Sequence, residues 1–338
     1  MPKPKLLFIT QKIHANDDDL AFTILWIKAF IKEGCEVDAI CLEKRDFDGS
    51  FPVHSLGKEE GVGRLTSILR FLTLITTLKY DRVFVHMNPE YFTLGGWWWA
   101  LRGIPCYFWY THYTMTFHVF LAGLMSKRMF AATAQSLPQY EGNRKKVVLG
   151  HGIDIDFWKI PATPAPSETS LVYINRLSRS KRVELTIRTL AFLPPEYTID
   201  IYGRVVPGEE AYHEELQALA KEEPYRNRVF FKGSLPMGSL KDVYPKHRLM
   251  MNMASETIDK TMLECMLFGA YPVTTPGNSK AIGLPAYPAA ETPEALAAFI
   301  QGREWEQSSI QDLRRIVEEH HSLAALIRNM SSYVRSGT

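Results

Sequence analysis

The chain has 338 residues, 46% of them hydrophobic and 22% charged, with 39 Lys+Arg, 37 Asp+Glu and a net charge of +2. Such a length exceeds what one hydrophobic core usually supports, so two domains of about 150 residues are expected. The near-zero net charge offers no concentrated basic face for nucleic acid, and no apolar run reaches the ~18 residues of a membrane span.

Pro2-Lys3-Pro4 leads directly into a strand pattern, so no secretory leader is expected. Strands are expected at 5–10, 36–42, 81–86, 104–109, 129–134 and 146–149, with helices between them, notably 18–33 and 62–78. This strand–helix alternation is the signature of a parallel sheet covered on both faces. Cys35, Cys41, Cys106 and Cys265 stand singly in apolar surroundings, without a Cys-x-x-Cys, and read as reduced core thiols. Pro161-Ala162-Thr163-Pro164-Ala165-Pro166-Ser167 is proline-dense and reads as a stiff connection, assigned to 159–169, between domains 1–158 and 170–309.

Alternation resumes with strands at 170–174, 198–202, 228–231, 248–252 and 271–274. After Leu171-Val172-Tyr173-Ile174, Arg176 and Lys181 fall in a strand-to-helix turn, where phosphates dock on α/β sheets. Arg offers a fork for two phosphate oxygens and Lys a mobile point charge, although an ordinary basic surface turn looks the same. Further on, Lys260 to Phe268 reads as a short helix with Asp259 suited to its N-cap and Gly269 to its C-terminal stop. Glu256 then lies in the loop before the helix and Glu264 inside it. Two acids so placed can reach opposite ends of an extended ligand, while the helix N-terminus offers N–H groups to an anion. A sugar nucleotide has that layout. Alternatively, the two are a solvated helix acid and an unrelated loop acid. A last helix is expected over about 310–336.

Taken in order, these pieces resemble the retaining glycosyltransferases of family 4, in a bacterial branch. Gly150-His151-Gly152-Ile153-Asp154 is similar to the family's entry to the second domain, Arg176 and Lys181 to its Gly-Arg-Leu-x-x-x-Lys turn, and Glu256 to Glu264 to its Glu-x7-Glu motif. Ile201-Tyr202-Gly203 and Val229-Phe230-Phe231-Lys232-Gly233 match intervening strand ends. The resemblance implies an α/β fold of the GT-B type: two Rossmann-like, doubly wound parallel-sheet domains facing across a cleft. The C-terminal helix, within 310–338, would cross back to the first domain.

It also implies roles. Glu264 would hold the ribose, Arg176 and Lys181 the diphosphate, Glu256 the transferred sugar, and His112 would reach that sugar from the first domain. Ile258, Asp259, Lys260 and Thr261 would contribute the helix start, and Gly203 and Arg204 would lie near the base. For His112, a packed histidine beside Tyr110 and Tyr113 is the plain alternative. Transfer would be front-face, with no resident cofactor and no metal. The chain departs from the family at Asn175, at Thr257 and Asp259, where glycines are usual, at Ile258, where phenylalanine is usual, and at Arg182, which replaces the glycine after the lysine. Asp259 either caps a helix or selects a sugar hydroxyl.

Asp17-Asp18-Asp19 invites a metal reading, yet an acid-rich helix start is the simpler account; Asn16 and Asp17 are candidate acceptor contacts. Trp97-Trp98-Trp99 and Tyr107 to Tyr113 could stack on sugars or meet a membrane interface, with Lys127-Arg128 and Arg144-Lys145-Lys146 facing anionic lipid; core packing, with the basic residues in solvated turns, is the favoured account for most of them. Expected partners are therefore a nucleotide sugar and a glycan or lipid-linked acceptor, with no nucleic acid, in the cytoplasm or at its membrane face. A non-catalytic sugar-nucleotide-binding module and a sugar-nucleotide epimerase are the rival readings; a pyridoxal-phosphate phosphorylase would need a much longer chain.

Overall fold

The computed structural model describes residues 3–17, 20–112, 114–158, 166–255 and 257–337. The chain forms two compact units, Met1–Asp154 with Ser322–Thr338, and Ile155–His321.

The first unit runs β1 (Lys5–Ile13), α1 (Phe22–Lys32), β2 (Glu36–Lys44), β3 (Val53–Ser55), α2 (Arg64–Thr77), β4 (Arg82–His86), α3 (Glu90–Leu101), β5 (Cys106–Trp109), α4 (Phe117–Met125), β6 (Arg128–Ala131) and β7 (Lys146–Val148). Its seven strands are parallel, in the order β3-β2-β1-β4-β5-β6-β7. Side chains alternate across this sheet. Leu6, Phe8, Phe84, Tyr107 and Phe130 face a core closed by Trp26, Ile27 and Phe30 of α1. Leu7, Ile9, Val83, Val85 and Phe108 face another, closed by Phe71 of α2, Phe92 and Trp99 of α3, and Val119 of α4.

The second unit runs β8 (Ser167–Ile174), α5 (Val183–Thr189), β9 (Thr198–Tyr202), α6 (Glu210–Leu219), β10 (Val229–Gly233), β11 (His247–Asn252), α7 (Lys260–Leu267), β12 (Tyr271–Thr274), α8 (Pro276–Ile282), α9 (Pro293–Gly302) and α10 (Ile310–His320). Its sheet is parallel in the order β10-β9-β8-β11-β12. The final helix, α11 (Leu323–Ser336), packs Leu326, Ile327, Met330 and Val334 into the α1 side of the first unit.

Local differences from the sequence reading have physical causes. α1 begins at Phe22 rather than 18, after a turn in which Asp17 Oδ1 accepts from the Leu20 N–H at 2.8 Å. The single helix expected over 310–336 is two: Ser322 leaves the helical region and its side chain accepts from the Ala325 N–H to start α11. The stretch 159–165, most of the expected connection, lies outside the described residues, and 167–169 is already strand β8. The short β3 had no counterpart in the sequence reading.

Candidate functional site

Strand order in the second sheet reverses between β8 and β11: from β8 the chain moves outward through β9 to β10, then crosses to β11 on the other side of β8. Loops following two such strands diverge and open a crevice at their carboxyl ends, where open α/β sheets bind ligands. The loop after β8 carries Asn175, Arg176 and Lys181; the loop after β11 ends at Asp259 and the start of α7.

Asp259 ties these loops together. Its Oδ1 receives Lys181 Nζ at 2.6 Å, and its Oδ2 accepts from Asn175 Nδ2 at 2.5 Å and Asn252 Nδ2 at 3.0 Å. The ion pair is nearly buried, with side chains 5% and 15% exposed. Asp259 occupies the N-cap position of α7 but makes no side-chain capping bond, so the expected cap is corrected: the carboxylate turns away to Lys181. Two of the expected glycine positions, 175 and 259, are thus occupied by residues that bond each other. Arg182 occupies another. Its φ of +49° lies in the left-handed region that favours glycine, and its side chain stabilises the turn by donating to the Met253 carbonyl at 2.8 Å and pairing with Glu291 at 2.7 Å.

Arg176 is exposed; its amide is held by Asn175 Oδ1 and its carbonyl by the Tyr173 hydroxyl. The neighbouring loop is fastened on by Asn175 N to Tyr202 O, Leu177 N to Arg204 O and Gly203 N to Gly233 O, at 2.8–3.1 Å. Gly203 lies so close that a Cβ there would stand 1.8 Å from the Asn175 carbonyl oxygen. Gly203 and Arg204 therefore border the Arg176 loop, as one continuous backbone rim.

At the start of α7, Thr261 Oγ1 is buried and makes no hydrogen bond among the described residues. Ile258 is buried, 3% exposed. Asn278, a residue sequence reasoning passed over, holds the preceding loop by donating to the carbonyls of Ala254 at 2.6 Å and Thr257 at 3.2 Å. Only contacts across the sheet reveal it. Glu264 is buried, its Oε2 accepting from the Tyr244 hydroxyl at 2.8 Å. Burial holds its carboxyl above the usual range, opposed by Tyr244 and by Lys260 one turn away. Lys260 has a partly exposed stem but a buried Nζ, and burial pushes its ammonium below the usual lysine range.

Glu256 lies outside the described residues, as do Asp18, Asp19 and Tyr113. In the first unit, His112 is exposed and its ring meets Tyr110 edge-on at 5.4 Å. Asn16 is exposed, whereas Asp17 is buried and pairs with Lys12 at 2.8 Å. The structure thus joins Lys181 to Asp259 and sets Gly203 and Arg204 beside Arg176. It commits Asp17 to its own turn. Among the described residues no group of three His, Cys, Asp or Glu could hold a metal ion, and all four cysteines are buried and free.

Residues 154–281 match the model of the family described as glycosyl transferases group 1. No curated protein matches the chain by sequence. In structure the chain is similar to HepE from Anabaena, crystallised with UDP-glucose (17% identity, 99% of this chain and 100% of that one, TM-score 0.78). It is also similar to sucrose-phosphate synthase from Thermosynechococcus elongatus (15% identity, 99% of each chain, TM-score 0.77) and to the lipopolysaccharide outer core galactosyltransferase WaaB (16% identity, 99% and 100%, TM-score 0.70). The fold of this chain is GT-B: two parallel-sheet α/β domains, of seven and five strands.

Proposed function

We propose that this protein is a retaining glycosyltransferase that moves a sugar, a hexose in the simplest case, from a nucleoside-diphosphate sugar to a hydroxyl of a glycan, glycolipid or small molecule. The observation that carries the reading is the delivery of Lys181 to the β8/β11 crevice beside the start of α7. An ammonium and free helix N–H groups together suit a diphosphate. The group 1 segment spans this crevice, and neighbours of the same fold were crystallised with UDP and UDP-glucose, which makes UDP-sugars the first donors to test.

On this reading Arg176 and Lys181 bind the diphosphate and stabilise the charge that grows as it leaves. Glu264 accepts from the ribose, and Lys260, Thr261 and the Ile258 backbone shape the pocket floor. Gly203 and Arg204 border the base, Glu256 and His112 bond the transferred sugar, and Asn16 meets the acceptor. The bond from the sugar's anomeric carbon to the phosphate oxygen breaks while the acceptor oxygen bonds to that carbon on the same face. The acceptor's proton passes to the departing phosphate. No metal enters the proposed step, and the proposed location is the cytoplasm or its membrane face.

Asp259 also favours a second reading. A carboxylate bonded to Lys181 stands where an anion would bind, as expected of a module that has lost catalysis. Turnover separates the two. With UDP-glucose and a panel of acceptors, the wild type should release UDP and form an α-linked product by NMR, and Glu256→Ala should lower kcat at least a hundredfold, on the order of one lost transition-state contact. Binding without any product from any donor would favour the module, and a β-linked product would rule out retention.

A further inference from the structure

The helix layer on one side of the first unit has an apolar outer surface. α2, α3 and α4 each bury one side in the same core, through Phe71, Trp99 and Val119 among others. Their other sides leave large hydrophobic side chains in the open. Leu65 and Leu69 on α2 are 71% and 56% exposed, and Trp97 and Leu101 on α3 are 53% and 74% exposed. On α4, Phe117, Phe120 and Leu124 are 67%, 53% and 64% exposed. Within each helix the spacing is three or four residues, so each set forms a stripe along one side. α3 and α4 pack tightly: a Cβ on Gly96 would stand 2.2 Å from Met125 Sδ. In the second unit the exposed large hydrophobics among the described residues are Phe192 and Phe230, on separate elements. Scattered residues of that kind are ordinary, whereas a clustered patch marks an interaction surface.

Charge indicates what covers it. Residues 64–128 hold seven Lys/Arg and two Asp/Glu; Arg64, Lys79, Arg102 and Lys127 are exposed, whereas Arg70 pairs with Glu60, and Arg82 and Arg128 turn to Val334 and Tyr333 of α11. Arg64 opens α2, Arg102 follows α3, and Lys127 follows α4, while Glu90 is the one acid within the three helices. The other acid, Asp81, pairs with Arg82. At the end of α4, Lys145 Nζ donates to the carbonyls of Gly123 and Leu124. We propose that the α2–α3–α4 face docks on an anionic phospholipid surface. Leucine, phenylalanine and Trp97 would enter the headgroup–acyl boundary, and the basic residues at the helix ends would reach phosphates. No described helix is long and apolar enough to cross a membrane, so the contact is one of lying on the surface. A second copy of the chain fits less well, since a twofold pairing of this face would set its Lys and Arg against their own counterparts.

The inference rests on this face alone and needs no donor, so its test is independent of the transfer reading. The experiment is flotation of the full chain with vesicles of phosphatidylcholine, alone or mixed with phosphatidylglycerol. The wild type should float with the mixed vesicles, remain behind with phosphatidylcholine alone, and be released by high salt. Phe117→Ser with Phe120→Ser should weaken binding about a hundredfold, given the apolar area withdrawn. Arg64→Glu with Lys127→Glu should weaken it about tenfold or more. Both double variants should melt with the wild type, because the replaced side chains are exposed. Wild-type protein that stays behind with the mixed vesicles would overturn the proposal. So would vesicle binding that neither variant reduces. A concentration-dependent dimer by light scattering, abolished by the phenylalanine variant without vesicle binding, would reassign the face to self-association.

Discussion

Asp259 is the residue on which the candidate site turns. Its carboxylate neutralises a lysine held almost out of water, and a buried charge loses much of its solvation. Asp259→Asn should therefore destabilise the free protein by about 1–3 kcal/mol, since the Lys181 ammonium keeps only a neutral partner. A diphosphate would restore that charge balance, so the same variant should gain more stability from UDP than the wild type does. Thermal melts with and without UDP check both effects; equal gains in the two proteins would show that Asp259 and the nucleotide do not compete. In sequence, Asn175 stood out as a departure from glycine, and Asp259 as another and as a helix-cap candidate, with nothing to join them. Their partnership was hidden because they lie 84 positions apart, and it exists because β8 and β11 are neighbours. Arg182 shows the same blind spot: the backbone turn a glycine would suit is kept, with positive φ, and the extra side chain is absorbed by Met253 and Glu291.

At the scale of elements, the strands were largely legible because buried parallel strands read as short apolar runs between polar turns. β3 was not, being three residues long and half-buried. The break between α10 and α11 was also hidden, because only two residues, His321 and Ser322, interrupt the helices. Two predictions belong here. Gly203→Ala should cost on the order of 2–4 kcal/mol, because the opposing atom is a backbone carbonyl pinned at Asn175, not a side chain that can rotate away. Denaturant melts measure this, and a cost below ~0.5 kcal/mol would contradict the close approach.

The second concerns His321, the last residue of the second unit. Burial, helped by the neighbouring charge of His320 and opposed by a hydrogen bond to the Ile282 backbone, pushes its pKa from 6.5 down to about 4. The folded state therefore holds fewer protons than the unfolded chain between those values. Stability rises with pH across this window, and is lost as pH falls from 6.5 towards 4, by an amount on the order of 3 kcal/mol at most. His321→Gln should flatten that part of the stability–pH curve; an unchanged slope would show that the ring titrates freely.

At the scale of the whole molecule, the resemblance led to the right fold, and the strand-to-helix turns with their basic and acidic residues carried it. Packing direction was not legible. The aromatic run from Tyr107 to Tyr110 is buried, while Trp97, Trp98 and Trp99 divide into one exposed, one half-buried and one core ring. Neighbouring letters in a helix point to different sides, and only the sheet they cover decides which side is solvent.

The most direct test of the account is a thermal-shift panel of UDP, GDP and ADP, each with and without EDTA, on the wild type and on Arg176→Ala. Arg176 is exposed, so its replacement should leave the free protein's melting temperature unchanged. A ligand at a hundred times its dissociation constant adds about 2.7 kcal/mol of stability. The account predicts that one nucleotide, UDP first, raises the wild-type melting temperature, that EDTA changes nothing, and that Arg176→Ala loses most of the gain. No shift with any nucleotide, or an equal shift in the variant, would contradict a diphosphate site in the β8/β11 crevice.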